Sequence, residues 1–102
     1  MARRVDLFVG HEAALDLREA RDHYAAVDPA LGRALMEEFD RVVERLEMFP
    51  GSGTPVEGLS GLRRARLRRF PYGAFYRLVD SQEIRIVRVL HSRRDTAATL
   101  AD

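Results

Sequence analysis

The sequence predicts an α+β fold in which a helical hairpin packs on a small antiparallel sheet. Three observations predict it: a short alternating stretch near the N terminus, two long helical patterns between residues 11 and 49, and a period of two after residue 60. The predicted order is β-α-α-β-β-β, followed by a short C-terminal tail or helix. A chain of 102 residues is long enough for one core, so we expect a single domain over residues 1–102.

The first strand and the first helix are predicted between Arg3 and Val27. Val5, Leu7 and Val9 alternate on one face of a strand that Gly10 ends. Beyond it, apolar residues recur at steps of four and three, which is typical of a helix buried on one side. These residues are Ala13, Leu17, Ala20, Tyr24 and Val27. The opposite side carries polar residues and is expected to be a solvated face, formed by Glu12, Asp16, Arg18 and Glu19.

The second helix shows the most regular pattern in the sequence. Asp28 is the expected N-cap, with Pro29 at the first helical position. The apolar residues that follow are Leu31, Leu35, Phe39, Val42, Leu46 and Phe49. The stretch PGSG, Pro50 to Gly53, ends the helix. Because almost nothing separates the two helices, they are expected to fold back as an antiparallel hairpin.

Three further strands follow a loop from Gly51 to Ser60. We expect them at Leu62–Arg69, Ala74–Val79 and Ile84–His91. Turn residues separate them, with Pro71 and Gly73 in the first turn and DSQE (residues 80–83) in the second. The last strand is apolar on both faces, which favours an interior position beneath the helices.

The charges are sorted along the chain although the net charge is only +1. Residues 1–60 hold 7 arginines against 12 acidic residues, whereas residues 61–94 hold 10 arginines against 2 acidic residues. Such a basic block indicates an anionic partner, either a nucleic acid or an acidic protein.

The absence of cysteine excludes disulfides and thiolate chemistry. With no apolar run of membrane-spanning length and no leader pattern, a cytoplasmic location is expected.

The candidate site lies on the basic strands. There is no glycine-rich phosphate loop, and the three histidines lack metal-ligand spacing, so we expect neither a metal nor a cofactor. Arg64, Arg66 and Arg68 alternate on one strand face, about 7 Å apart. The residues expected to converge on one concave side are Arg64, Arg66, Arg68, Arg77, His91, Arg93 and Arg94. The alternative is an ordinary solvated face of a half-buried sheet.

Four motifs together resemble the RelE/ParE toxin superfamily of bacterial type II toxin–antitoxin modules. They are Ala20 and Tyr24 before DPALG, the helix end FPGSG, the turn RRFPY, and VLHSRRD near the C terminus. The resemblance implies a small toxin with an antiparallel sheet against a helical hairpin. It also implies neutralisation by a cognate antitoxin whose acidic, flexible tail is complementary to the arginine-rich sheet, in a toxin–antitoxin hetero-oligomer.

The resemblance leaves the mechanism open between two branches. The ribosome-dependent RNase members carry basic residues that match Arg64 and Arg66, but they also carry an arginine where this chain has Gly73. This difference favours the ParE-like branch, which implies a plasmid-stabilising toxin that inhibits DNA gyrase and arrests growth without being an enzyme. The alternative is a RelE-like endonuclease acting on mRNA at the ribosome, with Arg64, Arg66, His91 and Arg93 as candidate catalytic residues. A second alternative is an inactive nucleic-acid-binding module.

Overall fold

The computed structural model describes residues 5–94 and 99–100, which form two long helices and one sheet. The elements in chain order are β1 (Asp6–Val9), α1 (His11–Val27), α2 (Pro29–Met48), β2 (Thr54–Pro55), β3 (Leu62–Arg66), β4 (Tyr72–Asp80) and β5 (Glu83–His91). The predicted α+β class and the helical hairpin are confirmed, while the two-residue strand β2 was not predicted. Thr99 and Leu100 are helical, and the rest of the predicted C-terminal tail or helix lies outside the described residues.

The sheet is mixed, which corrects the expectation of a purely antiparallel one. Its order is β1-β5-β4-β3-β2. Strands β2 to β5 pair antiparallel in sequence, whereas β1 pairs parallel with β5, with Leu7 opposite Ile84. A period of two is common to both kinds of pairing, so the alternation in β1 could not distinguish them. The predicted interior position of the last strand is confirmed, because β5 lies between β1 and β4.

The helical hairpin turns at a capped junction. The Asp28 side chain accepts a hydrogen bond from the Ala30 N–H at 2.9 Å, and Pro29 begins α2, as predicted. The apolar stripe of α2 is buried at Leu35, Phe39, Val42 and Leu46. The last members of both predicted stripes are exposed instead, Val27 by 75% and Phe49 by 60%, because each lies at a helix end.

The sheet has apolar residues on both faces. The main core fills the space between the helices and the sheet and includes Leu17, Leu35, Tyr76 and Ile86. A smaller cluster on the other face consists of Leu62, Phe75 and Leu90, with Val56, Leu59, Val87 and Leu100 packed against it. Because Arg64 is paired with Phe75 on β4, its side chain is directed to this second face.

The FPGSG motif is held by one tyrosine. The fully buried Tyr76 hydroxyl donates to the Pro50 carbonyl at 2.8 Å and accepts from the Gly53 N–H at 2.8 Å. A Cβ on residue 53 would lie 2.5 Å from that hydroxyl, so only glycine fits there. Arg63 adds a hydrogen bond to the Gly53 carbonyl at 2.9 Å. Burial raises the pKa of Tyr76, and these contacts fix the segment after α2 against the sheet.

The expected solvated face of α1 is interrupted at Asp16. Its carboxylate accepts hydrogen bonds from Arg88 Nε at 2.8 Å, from Arg88 Nη2 at 3.0 Å and from the Val89 N–H at 2.9 Å. These bonds raise the pKa of Arg88. Strand β1 pairs with β5 only as far as Ile86, so the edge of β5 at Val89 is open to α1, and Asp16 joins α1 to β5 rather than facing solvent alone.

Candidate binding site on the arginine-rich sheet

A cavity of about 220 Å³ opens beside the β3–β4 turn and is called here the arginine cavity. It brings together three of the seven predicted site residues, Arg64, Arg66 and His91. Its other lining residues are Leu67, Phe70, Pro71, Tyr72, Gly73, Phe75, Leu90 and Ser92. No carboxylate belongs to this lining, so the charge of the cavity is at least +2 and suits an anionic group.

Gly73 determines the shape of the cavity. The pairing of β3 with β4 brings the Arg64 side chain across Gly73, where a Cβ would lie 3.0 Å from Arg64 Cγ and 3.1 Å from Arg64 Cδ. Arg64 Nε is shielded and has no hydrogen-bond acceptor within the described part of the chain. An unsatisfied buried donor costs about 1–3 kcal/mol, so the packing of the Arg64 stem on Gly73 is maintained at an energetic cost.

His91 and Tyr72 form one wall of the cavity. They are opposite each other in the β4–β5 pairing, with ring centroids 5.2 Å apart in an edge-on arrangement. His91 Nδ1 accepts a hydrogen bond from the Arg93 N–H at 3.0 Å, which places the proton of the neutral ring on Nε2. Burial is the largest cause that raises the pKa of Tyr72, and the nearby Tyr24 raises it further. The Tyr72 hydroxyl therefore stays neutral near pH 7.

A second cavity lies on the other side of this wall. It shares Tyr72, Leu90 and His91 with the arginine cavity, but its remaining lining is Asp16, Glu19, Ala20, His23, Val89 and Arg94. Arg94 therefore lies beside acidic side chains of α1 rather than with Arg64 and Arg66. The Arg93 side chain is exposed, and only its backbone N–H contacts His91.

The predicted common face does not extend to Arg68, and Arg77 lies at a different cavity. Strand β3 was predicted to extend to Arg69 but ends at Arg66. Arg69 has a φ of 70°, which is incompatible with an extended strand. Arg68 consequently lines a cavity beside α2. Arg77 donates to the Ser60 carbonyl at 3.2 Å and lines a cavity that contains none of the other predicted site residues.

Tyr72 and Phe75 were not among the predicted site residues, yet both line the arginine cavity as well as packing against the apolar clusters. Within residues 5–94 and 99–100, no helix is long and apolar enough to cross a membrane. In the same part of the chain, no three His, Asp or Glu side chains are grouped so as to hold a metal ion.

Comparison with known proteins identifies the family. The family described as "ParE toxin of type II toxin-antitoxin system, parDE" matches residues 8–96. The chain belongs to the ParE toxin family. A solved structure of the chromosomal ParDE toxin–antitoxin system from P. aeruginosa contains a chain that is 28% identical, with a TM-score of 0.75, covering 88% of this toxin and 98% of that chain.

Two other solved structures share the fold of this ParE toxin. One is the RelBE2 toxin–antitoxin complex from Mycobacterium tuberculosis, at 24% identity and a TM-score of 0.54, covering 89% of this chain and 94% of that one. The other is the isolated E. coli RelE toxin, at 17% identity and a TM-score of 0.58, covering 95% and 94%. No curated protein sequence matches the chain. The resemblance found in the sequence is confirmed, and the chain is a type II toxin of the ParE kind.

Proposed function

We propose that this toxin inhibits DNA gyrase by binding it through the arginine cavity, without catalysing a reaction, and so arrests bacterial replication and growth in the cytoplasm. The observation that carries the proposal is the packing of the Arg64 stem on Gly73. The resemblance implies that RNase members of the superfamily carry an arginine at this position. Here a Cβ on residue 73 would meet the Arg64 stem at 3.0–3.1 Å and require it to shift, and with glycine at this position the cavity offers two guanidinium groups, not three.

The remaining polar groups of the cavity also favour binding over catalysis. A general base needs a free lone pair aimed at the proton it removes, whereas His91 Nδ1 already accepts the Arg93 N–H. Protonation at Nδ1 would cost that hydrogen bond. The raised pKa of Tyr72 keeps its hydroxyl a donor rather than a base near pH 7. These groups can hydrogen-bond an anionic partner without exchanging a proton with it.

The second partner in this proposal is a cognate antitoxin with an acidic, flexible tail. The arginine cavity has two cations and the apolar walls of Phe70, Phe75 and Leu90, a combination that suits a carboxylate flanked by apolar side chains. The chromosomal system from P. aeruginosa is itself described as a toxin–antitoxin system, which supports an antitoxin as the partner here.

A supercoiling assay with purified gyrase tests the proposal. We expect wild-type toxin to inhibit supercoiling, and Arg66→Ala to weaken inhibition by about tenfold, or about 1.4 kcal/mol of binding free energy. Arg85→Ala is the matched control, because Arg85 is also an exposed strand arginine but lies outside the arginine cavity. Unaffected gyrase at high toxin concentration would exclude this mechanism.

The RelE-like alternative rests on Arg64, Arg66 and His91 lining one cavity, as a phosphate-stabilising site would require. Cleavage of mRNA on purified ribosomes, abolished by His91→Ala, would establish it in place of gyrase inhibition. Induction of the gene alone in a bacterium separates both from an inactive nucleic-acid-binding module, because only an active toxin arrests growth.

A further inference from the structure

A second group of arginines lies outside the arginine cavity, where α2 meets the segment after β3. It surrounds a cavity of about 210 Å³ that is called here the α2 cavity. The lining consists of Glu38, Arg41, Val42, Arg45 and Arg68. Only Arg68 among them was a predicted site residue, so two helical arginines and one buried acid need a separate explanation.

Two of these arginines are held in place by the protein. Arg41 and Arg45 are one turn apart on α2, so they project from the same side of the helix. Arg41 Nη1 donates to Glu38 Oε1 at 2.7 Å, and Glu38 is only 4% exposed. Arg45 Nη2 donates to the Arg66 carbonyl at 3.3 Å. Each of these bonds uses one nitrogen of a guanidinium group that has five N–H donors.

The third arginine has no such partner. The Arg68 side chain is exposed and makes no ion pair or hydrogen bond within the described residues. Three guanidinium groups and one carboxylate give the α2 cavity a charge of +2, after the Glu38 charge is offset by Arg41. Like charges gathered in this way repel each other until an anion lies between them.

We propose that the α2 cavity binds a phosphate group, and that the phosphate belongs to a nucleic-acid backbone. Arginine forks match the oxygens of a phosphate, and three of them can share its negative charge. The backbone is favoured over a free phosphate because the two cavities are joined at Arg66, whose side chain lines the arginine cavity and whose carbonyl is bound by Arg45. A chain of phosphates can occupy both cavities, whereas a single phosphate fills one. The proposal is independent of gyrase.

The proposal is tested by the binding of a fluorescent single-stranded oligonucleotide of about 12 nucleotides, measured by fluorescence anisotropy from about 50 to 200 mM salt. We expect Arg68→Ala to weaken binding by about fivefold and to reduce the salt slope by about 0.7, the value for one phosphate contact on a single strand. Arg33→Ala removes the same charge from a different surface of α2 and should bind within about twofold of wild type. Arg68 has no structural contact to lose, so its variant is expected to fold normally.

Equal affinities of Arg68→Ala and Arg33→Ala for the oligonucleotide would overturn the proposal, as would a failure of the wild-type toxin to bind it. Pyrophosphate and a glutamate-rich peptide of equal charge are the other two ligands to be compared. Pyrophosphate binding that depends on Arg68, beside oligonucleotide binding that does not, would assign the cavity to a free phosphate and refute the backbone. Tighter Arg68-dependent binding of the peptide than of the oligonucleotide would assign it to a carboxylate partner instead.

Discussion

Replacing Tyr76 with phenylalanine removes one oxygen atom from the centre of the molecule. The aromatic ring stays, so the apolar packing of the main core is retained. What is lost is the acceptor for the Gly53 N–H and the donor for the Pro50 carbonyl, both at 2.8 Å. Gly53 is buried, so its N–H has little access to water that could replace the hydroxyl.

The expected cost follows from these two unpaired groups. Leaving a buried donor or acceptor without a partner costs about 1–3 kcal/mol. The Pro50 carbonyl belongs to a half-buried residue, so we count it at the low end and expect a total of about 2–3 kcal/mol. For a domain of this size, about 1 kcal/mol lowers the melting temperature by roughly 4–8 °C. Tyr76→Phe should therefore melt about 10–20 °C below wild type.

Urea unfolding followed by circular dichroism, together with thermal melts, measures this difference. Tyr24→Phe is the matched control, since Tyr24 is half-buried against Phe70 and its hydroxyl has no hydrogen bond among the described residues. It should change stability by less than about 0.5 kcal/mol. If both variants unfold at the same urea concentration, the two hydrogen bonds of Tyr76 do not stabilise the loop.

Three further predictions concern the same framework. Gly53→Ala should lower the melting temperature by several degrees because its Cβ would meet the Tyr76 hydroxyl, whereas Gly51→Ala, with nothing within 4 Å of its Cβ, should not; equal melting temperatures would contradict the close contact. Asp16→Asn should cost about 1.5–3 kcal/mol in urea unfolding, since charged hydrogen bonds are lost, against less than about 1 kcal/mol for Asp22→Asn in its exposed pair; the reverse ranking would refute the role given to Asp16. The raised pKa of Tyr76 means that its contribution to stability is complete below its ordinary value of about 10 and is lost as the pH rises through the higher folded-state value; the urea midpoint of Tyr76→Phe should then fall less steeply above pH 10 than that of wild type, and parallel curves would argue against it.

The helical hairpin could be predicted from sequence because its signals are local. The apolar spacing along α2 and the cap at Asp28 act within a few residues, and both agree with the structure. The parallel pairing of β1 with β5 joins residues more than 70 positions apart, and no local pattern records it. The prediction that Val27 and Phe49 are buried was wrong for a related reason. Burial at these two helix ends depends on how far the sheet extends beneath each helix.

The candidate site was predictable in part. Arg64 and Arg66 were placed together correctly because alternation within one strand fixes their face. The same rule failed for Arg68 because it assumes that the strand continues, and β3 ends at Arg66. The contact between Asp16 and Arg88 spans 72 positions. Asp16 falls on the polar side of α1, where the sequence pattern alone indicates solvent.

The carboxylate of Asp16 also ties the position of a helix to the end of a strand. It holds both the side chain of Arg88 and the backbone N–H of Val89, two residues before His91. A shift of α1 along the sheet would break these bonds or move the last residues of β5 with it. The position of the wall between the two cavities therefore depends on α1, a helix that contributes no residue to the lining of the arginine cavity, and a substitution far from the guanidinium groups can alter the width of their cavity.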